Sequence, residues 1–227
     1  MALLSDLAVL IRGLRPGGRV LVGVDGPDAA GKTTFARNLT DVLDRIVIQA
    51  SIDAWHRPGA ERMHRGAMSP EGYYRDSFDH EALASKLLDP FASGRDTVST
   101  AHFDHRSDSK APEAATRLRP DAVLLFEGVF LLRPELRDRW DLVIHLHVPE
   151  SVTLARAAER DIGVFGDLEA VRSRYEQRYL PGQELYRAEA RQHRARSGGQ
   201  QRAPLTTCPC VAASNDQNLW MGLGEVT

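Results

Sequence analysis

Hydrophobic positions along this chain follow two periods. Leu3, Leu4, Leu7, Leu10, Ile11 and Leu14 recur at helical spacing and predict an amphipathic helix over residues 3–14, closed by Pro16-Gly17-Gly18. Arg19-Val20-Leu21-Val22-Gly23-Val24 is instead a short, nearly continuous apolar run, as expected of a strand buried on both faces. Residues 33–43 return to helical spacing, with Phe35, Leu39 and Leu43 on one side. Three more apolar runs predict strands: Ile46-Val47-Ile48, Ala122 to Phe126, and Leu142 to Val148. Helices are expected at about residues 81–88, from Pro149-Glu150-Ser151 past Arg160, and from about Leu168 to Tyr179. Residues 54–80, rich in His, Arg, Gly, Pro and Tyr, hold no period and read as a long functional connection rather than a core element.

Strands alternating with helices predict an α/β fold: a doubly wound parallel sheet covered on both faces. Ligands of such sheets bind at the carboxyl ends of the strands. The chemically able segments all follow strands, at 25–33, 51–57 and 127–129, so three separate runs of sequence are expected to meet at one edge.

The first of these segments is Gly26-Pro27-Asp28-Ala29-Ala30-Gly31-Lys32-Thr33, followed by Thr34. The two glycines allow a tight turn whose backbone N–H groups point at phosphate oxygens, and the next helix offers its positive end to the same anion. Lys32 is placed to reach the β- and γ-phosphates and Thr33 to offer its hydroxyl to Mg²⁺. Because the motif sits between an apolar strand and a helix, it predicts a P-loop for MgATP rather than a chance glycine turn. No Asn-Lys-x-Asp guanine motif follows, which argues against a GTPase. Ser197-Gly198-Gly199-Gln200-Gln201-Arg202 looks like the signature of ABC transporter ATPases, but no apolar strand ending in Asp-Glu comes after it; a flexible Gly/Gln segment fits better.

Two acids fall at the same edge. Asp53 follows the second strand, where a carboxylate can take the proton of an attacking hydroxyl; a helix N-cap or turn role is the competing reading. Glu127 ends the third strand, where an acid can hold the metal directly or through water. Composition adds limits. The 227 residues carry 29 Lys+Arg against 31 Asp+Glu, a net charge of −2, so no broad surface for nucleic acid is expected. Nothing approaches the ~20 apolar residues that span a bilayer, and Asp6 stands where a signal peptide would place a basic residue, which predicts a cytoplasmic protein. Cys208 and Cys210 flank one proline and read as reduced thiols. Five of the eight histidines lie between residues 54 and 106 without metal-ligand spacing, and read as substrate contacts or loop residues.

Taken together, residues 26–34, Ser51-Ile52-Asp53-Ala54-Trp55-His56-Arg57, Ser77-Phe78-Asp79-His80, Phe126-Glu127-Gly128-Val129, and Leu154-Ala155-Arg156 with Arg160-Asp161 resemble the uridine kinase family of P-loop nucleoside kinases and the related phosphoribulokinase group, over roughly residues 19–190. The resemblance implies an ATP- and Mg²⁺-dependent transfer to a small-molecule hydroxyl, most simply the 5′-hydroxyl of a nucleoside. Asp53 would be the catalytic carboxylate, and Asp79 would hold the ribose hydroxyls. Arg156 and Arg160, with Lys32, would compensate charge on the transferred phosphoryl group. Arg172, Arg174 and Arg178 could add to a helical lid at about 155–182, with a solvated basic face as the alternative. Trp55 could stack on a base. Phe103 and His105 echo the family's base-recognition segment in His102-Phe103-Asp104-His105-Arg106, though at shortened spacing. Ala54-Trp55-His56 stands where the family has Ser-Phe-Tyr, so the acceptor pocket is altered. Another small alcohol, such as a sugar phosphate or pantothenate-like acceptor, and a nucleotide-binding regulator without transfer are the rival readings; a homo-oligomer stays open.

The kinase domain is expected over residues 1–191. From about 192 the character changes, and 192–227 reads as an atypical, loosely packed end. Relatives of the resembled family close with a short apolar strand ending in Asp-Asn, and Val211-Ala212-Ala213-Ser214-Asn215-Asp216 is only a weak imitation.

Overall fold

The computed structural model of the protein describes residues 2–112, 114–196 and 205–209. Five parallel strands form the central sheet: β1 (Val20–Asp25), β2 (Val47–Ser51), β3 (Val123–Gly128), β4 (Leu142–His147) and β5 (Leu205–Pro209), in the spatial order β2-β3-β1-β4-β5. The connections leaving β1 and β3 run to opposite sides, which opens a crevice at their carboxyl ends, the place where such sheets bind ligands.

Strand alternation divides the apolar residues between two layers. Val20, Val22, Val24, Val123, Leu125, Leu142 and Ile144 face the helices Ala2–Leu14 and Lys32–Thr40, packing on Leu3, Leu7, Ile11, Phe35 and Leu39. Leu21, Leu124, Phe126 and Val143 face the other way, into a larger core with Trp55, Tyr74, Phe78, Leu83, Leu87, Phe91 and Tyr186. Gly23 lies on that second face, and its missing side chain admits Trp140, whose ring carbon would stand 3.2 Å from an added Cβ. Burying each large side chain contributes about 1.5–3 kcal/mol.

The expectation that residues 54–80 stay outside the core is overturned. Trp55, Tyr73, Tyr74 and Phe78 are all buried, and the segment folds into the short helices Gly59–Arg62 and Pro70–Asp76, the latter capped by Ser69 Oγ accepting from Gly72 N–H. Helices of one or two turns are too short to display a period, yet a few aromatic rings bury enough area to hold the segment down. The helix expected at 81–88 is interrupted: His80–Leu83 passes through a π-turn at Ala84–Leu88 into Asp89–Ala92. A second π-turn, Tyr175–Tyr179, joins Leu168–Arg174 to the long helix Leu180–Arg196.

The fifth strand pairs with β4 from Val143 opposite Leu205 to His147 opposite Pro209. The 211–216 segment offered by the sequence, the Gly/Gln segment at 197–202 and Cys210 lie outside the described residues. Among the described residues no helix is long and apolar enough to cross a membrane.

Candidate active site

The loop of residues 26–31 leaves β1 and turns back into the helix Lys32–Thr40. Gly26 has φ +157°, and a Cβ there would meet the Leu146 carbonyl oxygen at 2.9 Å, so only glycine lets the loop pass this close to β4. Gly31, at φ +88°, forms the N-cap, and Ala29 between them is also left-handed at φ +55°. Lys32 Nζ lies along the loop, donating to the carbonyls of Pro27 (2.7 Å) and Gly26 (3.1 Å). Arg156, on the helix Glu150–Phe165, donates Nη1 to Ala30 O at 3.2 Å and Ala29 O at 3.4 Å. Two cations thus border a loop shaped to gather anionic oxygens.

Sheet register brings the acids to this loop. Glu127 on β3 is flanked by Ser51 of β2 and Val24 of β1. Its position in the alternation turns it to the face covered by the helix Lys32–Thr40, so Thr33 Oγ1 donates to Glu127 Oε1 at 3.1 Å. Burial pushes the Glu127 carboxyl up, and Asp53 adds to this, while Lys32 and the hydroxyls of Ser51 and Thr33 oppose it. A hard divalent cation would favour the charged form, and the donors here are all oxygen, as Mg²⁺ requires. Among the described residues no three His, Cys, Asp or Glu side chains gather into a metal cage. Mg²⁺ held by substrate phosphates, Thr33 and Glu127 needs no such cage.

Asp53 is exposed, on the 3₁₀ turn Ile52–Trp55 that follows β2. The capping role weighed for it falls on Ser51, whose Oγ accepts from Asp53 N–H at 3.3 Å, which leaves the Asp53 carboxylate turned to solvent at the strand ends. The turn presses on Gly128: a Cβ at that position would lie 2.5 Å from Ile52 Cγ2 and 2.7 Å from Ile52 Cβ. The Ile52 Cβ cannot rotate away, so Gly128→Ala should shift the backbone carrying Asp53. Steady-state kinetics is expected to show kcat reduced on the order of tenfold to a hundredfold with the fold retained, since misplacement by about 1 Å costs that much.

On the acceptor side, Asp79 caps the helix His80–Leu83, its Oδ1 accepting from Ala82 N–H at 2.8 Å, and its own N–H reaches Trp55 O at 2.8 Å. Trp55 does not present a ring face to a ligand. It is fully buried, stacked near His102, because it anchors the Asp53 turn in the core. Phe103 is buried too, on the small ladder pairing Phe103–Asp104 with Ser109–Lys110. His56 and His105 are partly open, their ring centroids 4.5 Å apart, with His56 also against Phe78 at 4.6 Å. Burial, with the charges of His105 and Arg62, pushes His56 down to about 4 against the pull of Asp53. The ring is therefore neutral at physiological pH. The unfolded chain takes up this proton near 6.5, the folded one only near 4. Stability is therefore expected to fall on acidification through that window. An imidazole NMR titration of His56 with a midpoint at 6 or above would contradict this.

The arginines expected in a lid divide. Arg156 reaches the P-loop, whereas Arg160 forms a two-pronged pair with Asp161 at 2.6 and 2.9 Å and donates to Tyr175 Oη at 3.2 Å. Arg178 is buried, donating to Ala67 O at 2.8 Å over the rings of Tyr73 and Tyr179. Arg174 lies over Phe165, and Arg172 is exposed. Asp28, expected among the loop's ATP-binding residues, turns its side chain the other way. Oδ2 accepts from Tyr73 Oη at 2.5 Å and Gln183 Nε2 at 3.4 Å.

Sequence reasoning missed a network at the root of the loop. Asp25, the last residue of β1, is wholly buried; Oδ1 accepts from Leu131 N–H at 3.2 Å, and Oδ2 from Tyr186 Oη at 2.6 Å and His145 Nδ1 at 2.9 Å. Burial would raise this carboxyl, but His145, Tyr186 and the Leu131 N–H together hold it below the usual range. An acid ending an otherwise apolar run, one residue before the motif, was the available signal.

With this geometry in place, comparison with known proteins gives a consistent picture. The family model described as "Phosphoribulokinase / Uridine kinase family" matches residues 21–186. The chain is 26% identical over 170 residues to the uridine kinase of Shewanella amazonensis, covering 71% of this chain and 78% of that protein. It is 33% identical over 118 residues to the pantothenate kinase of Corynebacterium glutamicum, which is 50% of this chain and 37% of that one. The structure of a possible uridine kinase from Bacillus stearothermophilus superposes with a TM-score of 0.66 at 24% identity, covering 86% of this chain and 97% of that chain.

Proposed function

The chain belongs to the phosphoribulokinase / uridine kinase family, and on that premise we propose that it moves the γ-phosphate of MgATP to the 5′-hydroxyl of a nucleoside. The observation that supports this most is the meeting of Asp53, Glu127 and the P-loop at one sheet edge, with Ser51 capping the turn so that the Asp53 carboxylate stays free. Gly26, Ala29, Ala30, Gly31 and Thr34 wrap the phosphates through backbone N–H groups, and Lys32 swings from its carbonyls onto the β- and γ-oxygens. Thr33 and Glu127 would hold Mg²⁺, which when bound would neutralise phosphate charge. Asp53 accepts the proton of the acceptor hydroxyl. Arg156 and, once released from Asp161, Arg160 stabilise charge on the transferred group. Asp79, with one oxygen occupied by its helix cap, offers the other to the ribose diol, and the His56–His105 pair gives a ring surface for a base.

The pantothenate kinase similarity over half the chain supports a second reading, transfer to another metabolite alcohol. A panel measuring ATP consumption with uridine, cytidine, adenosine, pantothenate and D-glycerate separates the two. Uridine or cytidine is expected to give the largest kcat/KM. Turnover confined to a non-nucleoside alcohol would replace this reading by the second, and none with any alcohol would leave a nucleotide-binding regulator.

A further inference from the structure

A carboxylate inside a loop that gathers a triphosphate works against the loop's purpose, because it adds negative charge beside the phosphates. Asp28 is such a carboxylate. Its side chain is held where both Tyr73 Oη and Gln183 Nε2 converge on Oδ2. Tyr73 belongs to the helix Pro70–Asp76, between the two acceptor-side acids Asp53 and Asp79, and Gln183 to the helix that follows the lid. Both partners are buried, and Gly182 beside Gln183 packs so tightly on Tyr73 that an added Cβ would lie 2.6 Å from its ring. The Tyr73 hydroxyl is kept protonated by burial and by the nearby charges of Asp28 and, more weakly, Asp53, so it is a permanent donor to Asp28. The carboxylate is thus fixed in place by one oxygen, at the boundary between the nucleotide loop and the acceptor segment.

We propose that Asp28 is an acceptor-reading residue: Oδ1 receives a second hydroxyl of the acceptor, and the fixed negative charge turns away acceptors that carry a carboxylate or phosphate close to the reacting hydroxyl. The acceptor class is then a neutral, hydroxyl-bearing molecule, as a nucleoside is and as pantothenate, glycerate and sugar phosphates are not. This rests on the kinase reading above. The P-loop thereby takes part in choosing the acceptor through one side chain, while its backbone serves the phosphates.

The test compares the full chain with Asp28→Asn and Tyr73→Phe, using uridine, 3′-deoxyuridine, 2′-deoxyuridine and D-glycerate as acceptors. In wild type, removal of either ribose hydroxyl is expected to lower kcat/KM about tenfold or more, and Asp28→Asn should erase most of the difference for the one hydroxyl that Asp28 rather than Asp79 receives. The same variant should raise the KM for uridine about tenfold, leave the KM for ATP within about twofold, and improve D-glycerate relative to uridine. Tyr73→Phe should move each value in the same direction by less. A rise in the ATP KM that parallels the uridine KM, or an unchanged preference for the hydroxylated acceptor, overturns the proposal and makes Asp28 a strut of the loop. Should Asp28→Asn melt at a much lower temperature, the Tyr73→Phe kinetics decide alone, an unchanged uridine KM overturning the proposal. Wild type that prefers D-glycerate to uridine also overturns it. Wild type that phosphorylates none of these acceptors overturns the kinase reading itself, and the proposal with it.

Discussion

Asp53→Asn is expected to lower kcat by about 10² to 10⁴, the range a positioned general base contributes. The substitution keeps size and hydrogen-bonding shape but removes the group proposed to take the acceptor proton. Asp53 is exposed, and the Ser51 contact is made through its backbone N–H, so the turn has no structural need for the carboxylate. MgATP affinity should stay within about twofold, because phosphate binding rests on the loop backbone, Lys32 and Thr33. Binding of a fluorescent ATP analogue together with single-turnover kinetics separates the two quantities. Turnover equal to wild type would remove Asp53 from the chemistry and leave the P-loop without an identified base.

The second large effect is on stability. Asp25→Ala should destabilise the fold by about 1–3 kcal/mol for each buried donor left without an acceptor. The variant strands His145, the Tyr186 hydroxyl and the Leu131 N–H around an empty site within the main core. Asp25→Asn should cost less, since its amide oxygen can still accept, though without the charge that His145 faces. Because the folded carboxyl lies below its ordinary value of 3.8, its contribution is complete above about pH 4 and is lost as pH falls through the lower folded value. Urea denaturation at pH 7 is the measurement, and a loss under about 1 kcal/mol would mean the network carries little. Activity is expected to suffer as well, because Asp25 immediately precedes Gly26 and ties the base of the loop to the helix Leu180–Arg196.

How much of this was readable in advance depends on how far apart the interacting residues lie. The P-loop was legible because its glycines, lysine and threonine act within eight consecutive positions and sit between an apolar strand and a helix. Glu127 and Asp53 were legible as strand-end acids, since a parallel sheet carries all such ends to one edge. The Asp25 network was not, because its partners Leu131, His145 and Tyr186 are 106, 120 and 161 residues away. Residues 54–80 misled for a different reason. Their contribution to the core comes from a few aromatic rings on very short helices, which leave no period to detect. Trp55 was drawn toward the ligand by analogy with the Ser-Phe-Tyr segment, whereas packing under the Asp53 turn claimed it for the core.

By itself, the sequence determined the first four strands of the sheet, the helices that open and follow the phosphate loop, the loop itself and the two acids at the ends of β2 and β3, because each of these is written in local spacing. Tertiary structure decided which way those groups face. Strand register set Glu127 on Thr33, and the clash-free approach of Ile52 to Gly128 set the Asp53 turn. It also turned Asp28 toward Tyr73 and Gln183, contacts across 45 and 155 residues that no local pattern could carry.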